Sequence, residues 1–345
     1  MSLARAIASG DLAQLPSRRE EAWRWTDLRG LLRALPPPSP ESFEALPPGP
    51  FAALAHSEVA IVNGRGPAGA GVPAGRRQSL ALRFVASASA GAHTAAFVIE
   101  VARGAHLTLL ESYEGQGDGY VVQADLELRL AAGASVERIV IAGDGAEAVS
   151  VSKASVVLAP GASFSQTVLT AGARRQRLET HVAHAGGGAA ARLDGLYLLQ
   201  AKRHADITTL VAHAGPGGAT DQLTKGVVRD QARGVFQGRI LVARGADQTD
   251  ARMGHHALIL SDRAEVDAKP ELEIYADDVL CAHGNTVGAL DEEALFYSRQ
   301  RGIPEDQARA MLTEAFVGQV VERIGDEGAR AVAAAWVAQQ LEAGP

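Results

Sequence analysis

A glycine-alanine pair recurs through the middle of the chain: Gly104-Ala105, Gly133-Ala134, Gly161-Ala162, Gly188-Ala189, Gly218-Ala219 and Gly245-Ala246. The successive intervals are 29, 28, 27, 30 and 27 residues. Between the pairs lie short alternating or β-branched runs: AAFVIEVA (95–102), ADLELRLA (124–131), ASVERIVIA (134–142), KASVVLA (153–159), ADITTLVA (205–212) and RGVFQGRILVA (233–243). Alternation puts one face of a strand inward and the other outward. A period in the high twenties with several strands per unit predicts a β-solenoid, in which each unit buries its apolar face only against its neighbours. Glycine supplies the turn conformation and alanine fits a crowded corner. A sandwich or barrel also needs regular strands, but it does not hold one turn dipeptide at a near-constant spacing over six units.

Composition agrees. Hydrophobic residues make up 47% and charged residues 21%, an ordinary globular balance, while 37 glycines and only 5% aromatics suit many strands joined by tight turns. The net charge is −7 with no basic block, which argues against nucleic acid as a partner. No apolar run nears the ~20 residues of a membrane helix, and residues 1–21 lack the apolar core of a secretory signal, so the expected location is the cytoplasm.

The flanks differ from the centre. SRREEAWRWTDLRGLLRAL (17–35) has Trp23, Leu28, Leu31, Leu32 and Leu35 at helical spacing and predicts one amphipathic helix or two short ones, with Trp23 and Trp25 packing rather than binding a ligand. PPPSPESFEALPPGP (36–50) cannot continue a helix and is expected to be a linker or wrapped segment. VNGRGPAGAGVPAG (62–75) has no strand-turn-helix frame and is expected to be loop. Beyond residue 284 the pattern turns helical. Asp291 can cap a first helix ending before Gly302, Pro304 opens a second, and Val332, Ala333, Trp336, Val337 and Leu341 mark a third. The expected division is a helical and Pro-rich region at 1–50, a solenoid core at 51–284 and a helical region at 285–345. A solenoid needs its open ends covered, and these helices are candidates to cap one end or to dock a partner.

Several polar groups invite a chemical reading. His181 and His184, three apart in a strand-like context, point to opposite faces. His204 and Asp206 share a face, as a dyad or, more simply, as a polar ladder on a solvated face. His255 and His256 are adjacent and point apart, and Asp277-Asp278 read as a solvated turn. No Walker A, G-x-S-x-G or H-E-x-x-H motif is present. Cys281, the sole cysteine, stands two residues from His283, so the two share a face of an extended segment. They are a metal-donor pair, a catalytic pair, or a packed thiol beside a hydrogen-bonded imidazole. One cysteine excludes an intramolecular disulfide framework and a self-contained iron–sulfur or zinc site built on several thiolates, and the Cys281-His283 pair is only half of the about four ligands that such centres want. A ligand role therefore demands a second chain.

The block KPELEIYADDVLCAHGNTVGALDEEALFYSRQRGIPEDQARAMLTEAF (269–316) closely resembles the C-terminal region of the SufB/SufD family, on its SufD side. The similarity extends upstream through residues 221–270 and to EEAWRWTDLRGLL (20–32), while 36–200 match by pattern. Cys281-Ala282-His283-Gly284 with no other cysteine is unlike SufB, and Asn285 stands where the family often has a small residue. SufD is the non-ATPase scaffold subunit of the SUF (SufBCD) iron–sulfur cluster assembly system. The resemblance implies a right-handed parallel β-helix core flanked by N- and C-terminal α-helical regions and a scaffold that is not itself an enzyme. It implies a SufB-like partner through the β-helix and a SufC-like ABC ATPase bound by the C-terminal helices, whose nucleotide-driven closure would pull on the scaffold. It also implies a transient Fe–S cluster at the SufB interface, with His283 as its ligand from this chain and Cys281 as a second candidate. The isolated chain is then expected to hold no cluster stably and is a candidate homodimer. The rival is a solenoid enzyme such as a polysaccharide lyase or acyltransferase. The acyltransferase version needs hexapeptide coils that this chain lacks.

Overall fold

A computed structural model describes residues 1–41, 45–87 and 89–342. Its strands build two facing parallel sheets, numbered here along the chain. The odd strands are β1 (Ser57–Val62), β3 (Arg77–Ala86), β5 (His106–Gly115), β7 (Ser135–Gly143), β9 (Ser163–Thr170), β11 (Ala190–Leu199), β13 (Ala219–Val228), β15 (Thr249–Ile259) and β17 (Val279–Gly288). The even strands are β2 (Gly69–Val72), β4 (Ala92–Val101), β6 (Val121–Leu130), β8 (Val149–Leu158), β10 (Arg175–His184), β12 (His204–His213), β14 (Arg233–Val242) and β16 (Glu265–Ile274). Each set stacks in chain order, so successive strands alternate between sheets and the chain winds as a parallel β-helix. The inward-facing residues of both sheets, including Leu82, Phe97, Leu109, Leu128, Phe164, Tyr197, Phe236 and Met253, form one continuous core.

The glycine-alanine repeat is the corner of this winding. Gly104, Gly133, Gly161, Gly188 and Gly245 have φ between +63° and +80°, the left-handed region that costs an L side chain energy. The alanines that follow them, Ala105, Ala134, Ala162, Ala189 and Ala246, are at most 1% exposed. The sixth pair departs. Gly217, with φ +68°, makes the turn in place of Gly218, and Ala219 is exposed. Gly218 instead lies against two imidazoles: a Cβ there would stand 2.5 Å from His213 Nδ1 and 2.8 Å from the His184 ring.

The stretch 62–75 is not all loop. β2 lies within it and pairs with β4, and Gly69 allows the approach, since a Cβ there would be 2.7 Å from the Val98 carbonyl oxygen. The segment 17–35 is less helical than its spacing predicts. Beyond the short helix α1 (Leu3–Ser9) it holds one 3-10 turn at Glu21–Trp23 and a single helical turn, α2 (Leu28–Leu31). Its carbonyls bond to the solenoid wall instead of to the next turn. Arg177 Nη1 donates to the Ala22 oxygen at 2.7 Å, and His204 Nε2 lies 3.1 Å from the Trp25 oxygen. Trp23 packs, with the Arg177 guanidinium 4.4 Å from its ring centroid.

After β17 come α3 (Glu292–Gln300), α4 (Glu305–Val321) and α5 (Glu327–Glu342), with Asp291 capping α3 through the Glu293 and Ala294 N–H groups. These helices do not close the end of the solenoid. Val317, Val320, Val321, Ile324, Ala329, Ala333 and Val337 instead pack on the outer face of the odd sheet, against Leu110, Ile139, Ile141, Leu169, Leu196, Leu198 and Val227. Burying each of the valine, leucine and isoleucine side chains contributes roughly 1.5–3 kcal/mol, enough to hold the pair along the sheet wall. The N-terminal region covers the opposite wall, where Leu3, Ala6, Leu15 and Leu28 meet Ala92, Val121, Val149 and Val151 of the even sheet. Both flanking regions are thus spent on the sides; in the terminal coil β16 stays half-buried while β17 is exposed along most of its length.

Candidate functional site

β17 is the edge of the odd sheet and bonds only to β15. The pairing sets Ala251 beside Cys281, Met253 beside His283, His255 beside Asn285 and Ala257 beside Val287. All four β15 residues face the interior and are buried. The parallel register therefore carries Cys281, His283, Asn285 and Val287 onto the interior-facing side of a coil that has nothing stacked above it. Cys281 and His283 share one face, as their spacing requires, about 7 Å apart along the strand. His283 is exposed and Cys281 half-buried against the end of the core. Burial pushes the Cys281 thiol above its usual range, a hydrogen bond from the Ala251 backbone opposes this, and the Asp250 carboxylate adds to the rise. The isolated chain thus keeps the sulfur protonated at neutral pH, and a metal ion would displace that proton on binding. Leu272 and Val279 pack at the same mouth, and Ile274 and Val287 beside them are exposed. A soft sulfur and a borderline imidazole nitrogen at an apolar, free strand edge are chemically competent toward iron and incomplete without further ligands.

The other candidates fall elsewhere. His181 and His184 do point apart: His181 Nε2 meets Glu179 at 2.6 Å outside, whereas His184 stacks on His213 in the interior at 4.4 Å between centroids. His204 and Asp206 share a face, but it is not solvated. They are 2% and 0% exposed because the N-terminal segment lies over them. Asp206 accepts hydrogen bonds from Thr26, Arg177, Thr208 and Gln237, so the pair anchors that segment. Asp277 and Asp278 sit exposed in the β16–β17 turn. Among the described residues, no three His, Cys, Asp or Glu side chains gather in a metal-binding arrangement.

A family model described as "SUF system FeS cluster assembly, SufBD core domain" matches residues 84–316. The chain belongs to the SufBD family. It is 34% identical over 248 residues to the iron–sulfur cluster assembly protein SufD of Escherichia coli, covering 71% of this chain and 58% of that protein. It is 28% identical over 236 residues to an iron–sulfur cluster assembly SufBD family protein of Synechocystis, covering 66% and 52% respectively. SufD of Bacillus subtilis aligns at 34% identity over 125 residues, 36% of this chain and 29% of that protein. The chain thus spans little more than half the length of the first two. The SufBD core match ends inside α4, so it contains β17 with Cys281 and His283 and leaves out the N-terminal anchor and α5. Among the described residues, no helix is long and apolar enough to cross a membrane.

Proposed function

We propose that this chain is a non-catalytic scaffold subunit for iron–sulfur cluster assembly in the cytoplasm. It pairs through the uncovered end of its β-helix with a SufB-like paralogue, docks a SufC-like ABC ATPase on its C-terminal helices, and lends His283, with Cys281 beside it, to a nascent cluster carried as cargo between the chains. The observation that carries this reading is that Cys281 and His283 lie together on an edge strand, paired on one side only, at an apolar, open solenoid mouth. An edge with free backbone groups pairs with another strand edge, and a homologous solenoid offers one of matching pitch. The same complementarity lets the isolated chain pair with itself. The ATPase assignment is supported by an aromatic patch beyond the edge, where Phe296 and Tyr297 of α3 are 63% and 60% exposed.

The test is affinity purification of the chain from its own cells without oxygen, with the wild type and His283→Ala compared. A homologous β-helix subunit and an ABC-type ATPase are expected to come down with both. Iron and acid-labile sulfide in the recovered complex are expected to fall by at least about tenfold in the variant. Equal cluster content would remove His283 from the site. Recovery of the chain alone, active on a sugar or acyl substrate, would overturn the scaffold reading.

A further inference from the structure

An edge strand is held by one backbone ladder and is free to roll about its own axis, which would carry its side chains off the interior-facing side. On β17 two side-chain bonds add to that ladder, both from the adjacent pair His255-His256 on β15. Inside the solenoid, His255 Nδ1 lies 2.7 Å from Asn285 Oδ1. An amide oxygen can only accept, so Nδ1 carries the ring proton and Nε2 is left to accept from the Tyr197 hydroxyl at 2.9 Å. The ring is clamped face to face on Phe236, with centroids 4.8 Å apart and planes within 2°. Tyr197 is seated over two glycines, since a Cβ at Gly226 would fall 1.9 Å from its ring and one at Gly234 2.5 Å. Outside the solenoid, His256 Nδ1 lies 2.7 Å from Thr286 Oγ1. His256 is the register neighbour of Lys225, whose ammonium donates to the Phe316 carbonyl at 2.9 Å and to Gln319 at 2.6 Å on α4.

We propose that His255 and His256 are positioning residues for the edge strand, one tying its inner face to the buried Tyr197 and the other its outer face to the wall that carries α4. Because Asn285 and Thr286 are consecutive, the two bonds grip opposite sides of β17 at one point. Asn285 shares its face with His283 and Cys281, so the grip sets the direction in which both donors point. The consequence for a cluster rests on the donor reading of β17, whereas the grip itself does not.

The test uses the full chain and two readouts that need no cluster: hydrogen exchange of the β17 amides that donate to β15, and the alkylation rate of Cys281 by iodoacetamide. The variants are Asn285→Ala, Thr286→Val and their combination; both positions are exposed on β17, and Asn285→Ala removes the acceptor of the buried His255 N–H. The double variant is expected to raise β17 exchange and Cys281 alkylation about three- to tenfold, with the β10 and β12 amides that exchange by local opening unchanged and the global unfolding equilibrium shifted by no more than the same factor. Asn285→Asp keeps an acceptor oxygen for His255 and is expected to hold the wild-type rates. Wild-type rates in the double variant, or equal loosening by Asn285→Asp and Asn285→Ala, would overturn the proposal. Normal cluster loading in His283→Ala together with a loosened β17 in the double variant would instead refute the donor reading and leave the grip standing.

Discussion

Glu111→Ala is expected to cost about 3–5 kcal/mol of stability, read as a lower urea midpoint. Glu111 is 0% exposed inside the solenoid and accepts two hydrogen bonds of 2.7 Å from Arg138, itself 3% exposed. Arg138 also donates to Gln166, which bonds to Thr180 across the interior at 3.0 Å. Burial acts to lower the Arg138 pKa, and the Glu111 carboxylate more than offsets it, so the guanidinium stays charged. Removing the carboxylate leaves that charge buried with only neutral partners, and the loss is the desolvation of the remaining ion rather than the value of the pair. The double variant Glu111→Leu with Arg138→Met is expected to recover most of the loss, because apolar groups of similar volume need no partner. A single variant within 1 kcal/mol of the wild type would show that water reaches Arg138.

Acid is expected to unfold the chain earlier than its carboxylates alone would require. Burial holds His204 at about 3 and His213 and His255 at about 4, and each is no more than 2% exposed. Their unfolded value is 6.5. Between that value and the folded one, the unfolded chain takes up protons that the folded chain refuses, so stability falls as pH falls through the window 6.5 to about 4. At ~1.4 kcal/mol per pH unit this is roughly 3 kcal/mol for each imidazole, before opposing groups are counted. Asp125, Asp144 and Asp194 oppose the trend, since burial raises all three, Asp194 to about 6. They are outnumbered: His93, His106, His184 and His256 are also lowered, which sets seven imidazoles against three carboxyls. Urea midpoints measured from pH 7 to pH 5 should therefore decline steadily, with net proton uptake on unfolding. A flat profile over that range would mean that these rings are hydrated or already charged.

The contacts that matter most could be paired from the period. Arg177 and Asp206 are 29 residues apart, His184 and His213 are also 29 apart, and His255 and Asn285 are 30 apart, each one coil along the solenoid. Adding the repeat length to a polar interior residue therefore finds its neighbour, a signal that lies in the spacing alone. For His255-His256 the opposite directions of adjacent strand residues hide the pairing, because each ring finds a separate partner one coil on. The alternation is what lets one dipeptide hold both faces of β17.

The sequence by itself determined the solenoid, because a glycine followed by a small residue recurs every 27 to 30 positions between alternating strand-like runs, and the structure puts a left-handed glycine every 27 to 29 positions at one corner of the winding. It also determined that Cys281 and His283 share a face, since strand geometry leaves no choice. Only the tertiary structure decided which way that face looks and what lies over it. The helical periodicity of 17–35 and of the C-terminal segment shows that apolar stripes exist, but not what they bury. One stripe is taken up by the even-sheet wall, where side chains of β10 and β12 bind the carbonyls a helix would have used. The other is taken up by the odd-sheet wall. With both stripes spent on the sides, the terminal coil stays open, and Cys281 and His283, which local geometry could only align, lie on the strand at its free edge.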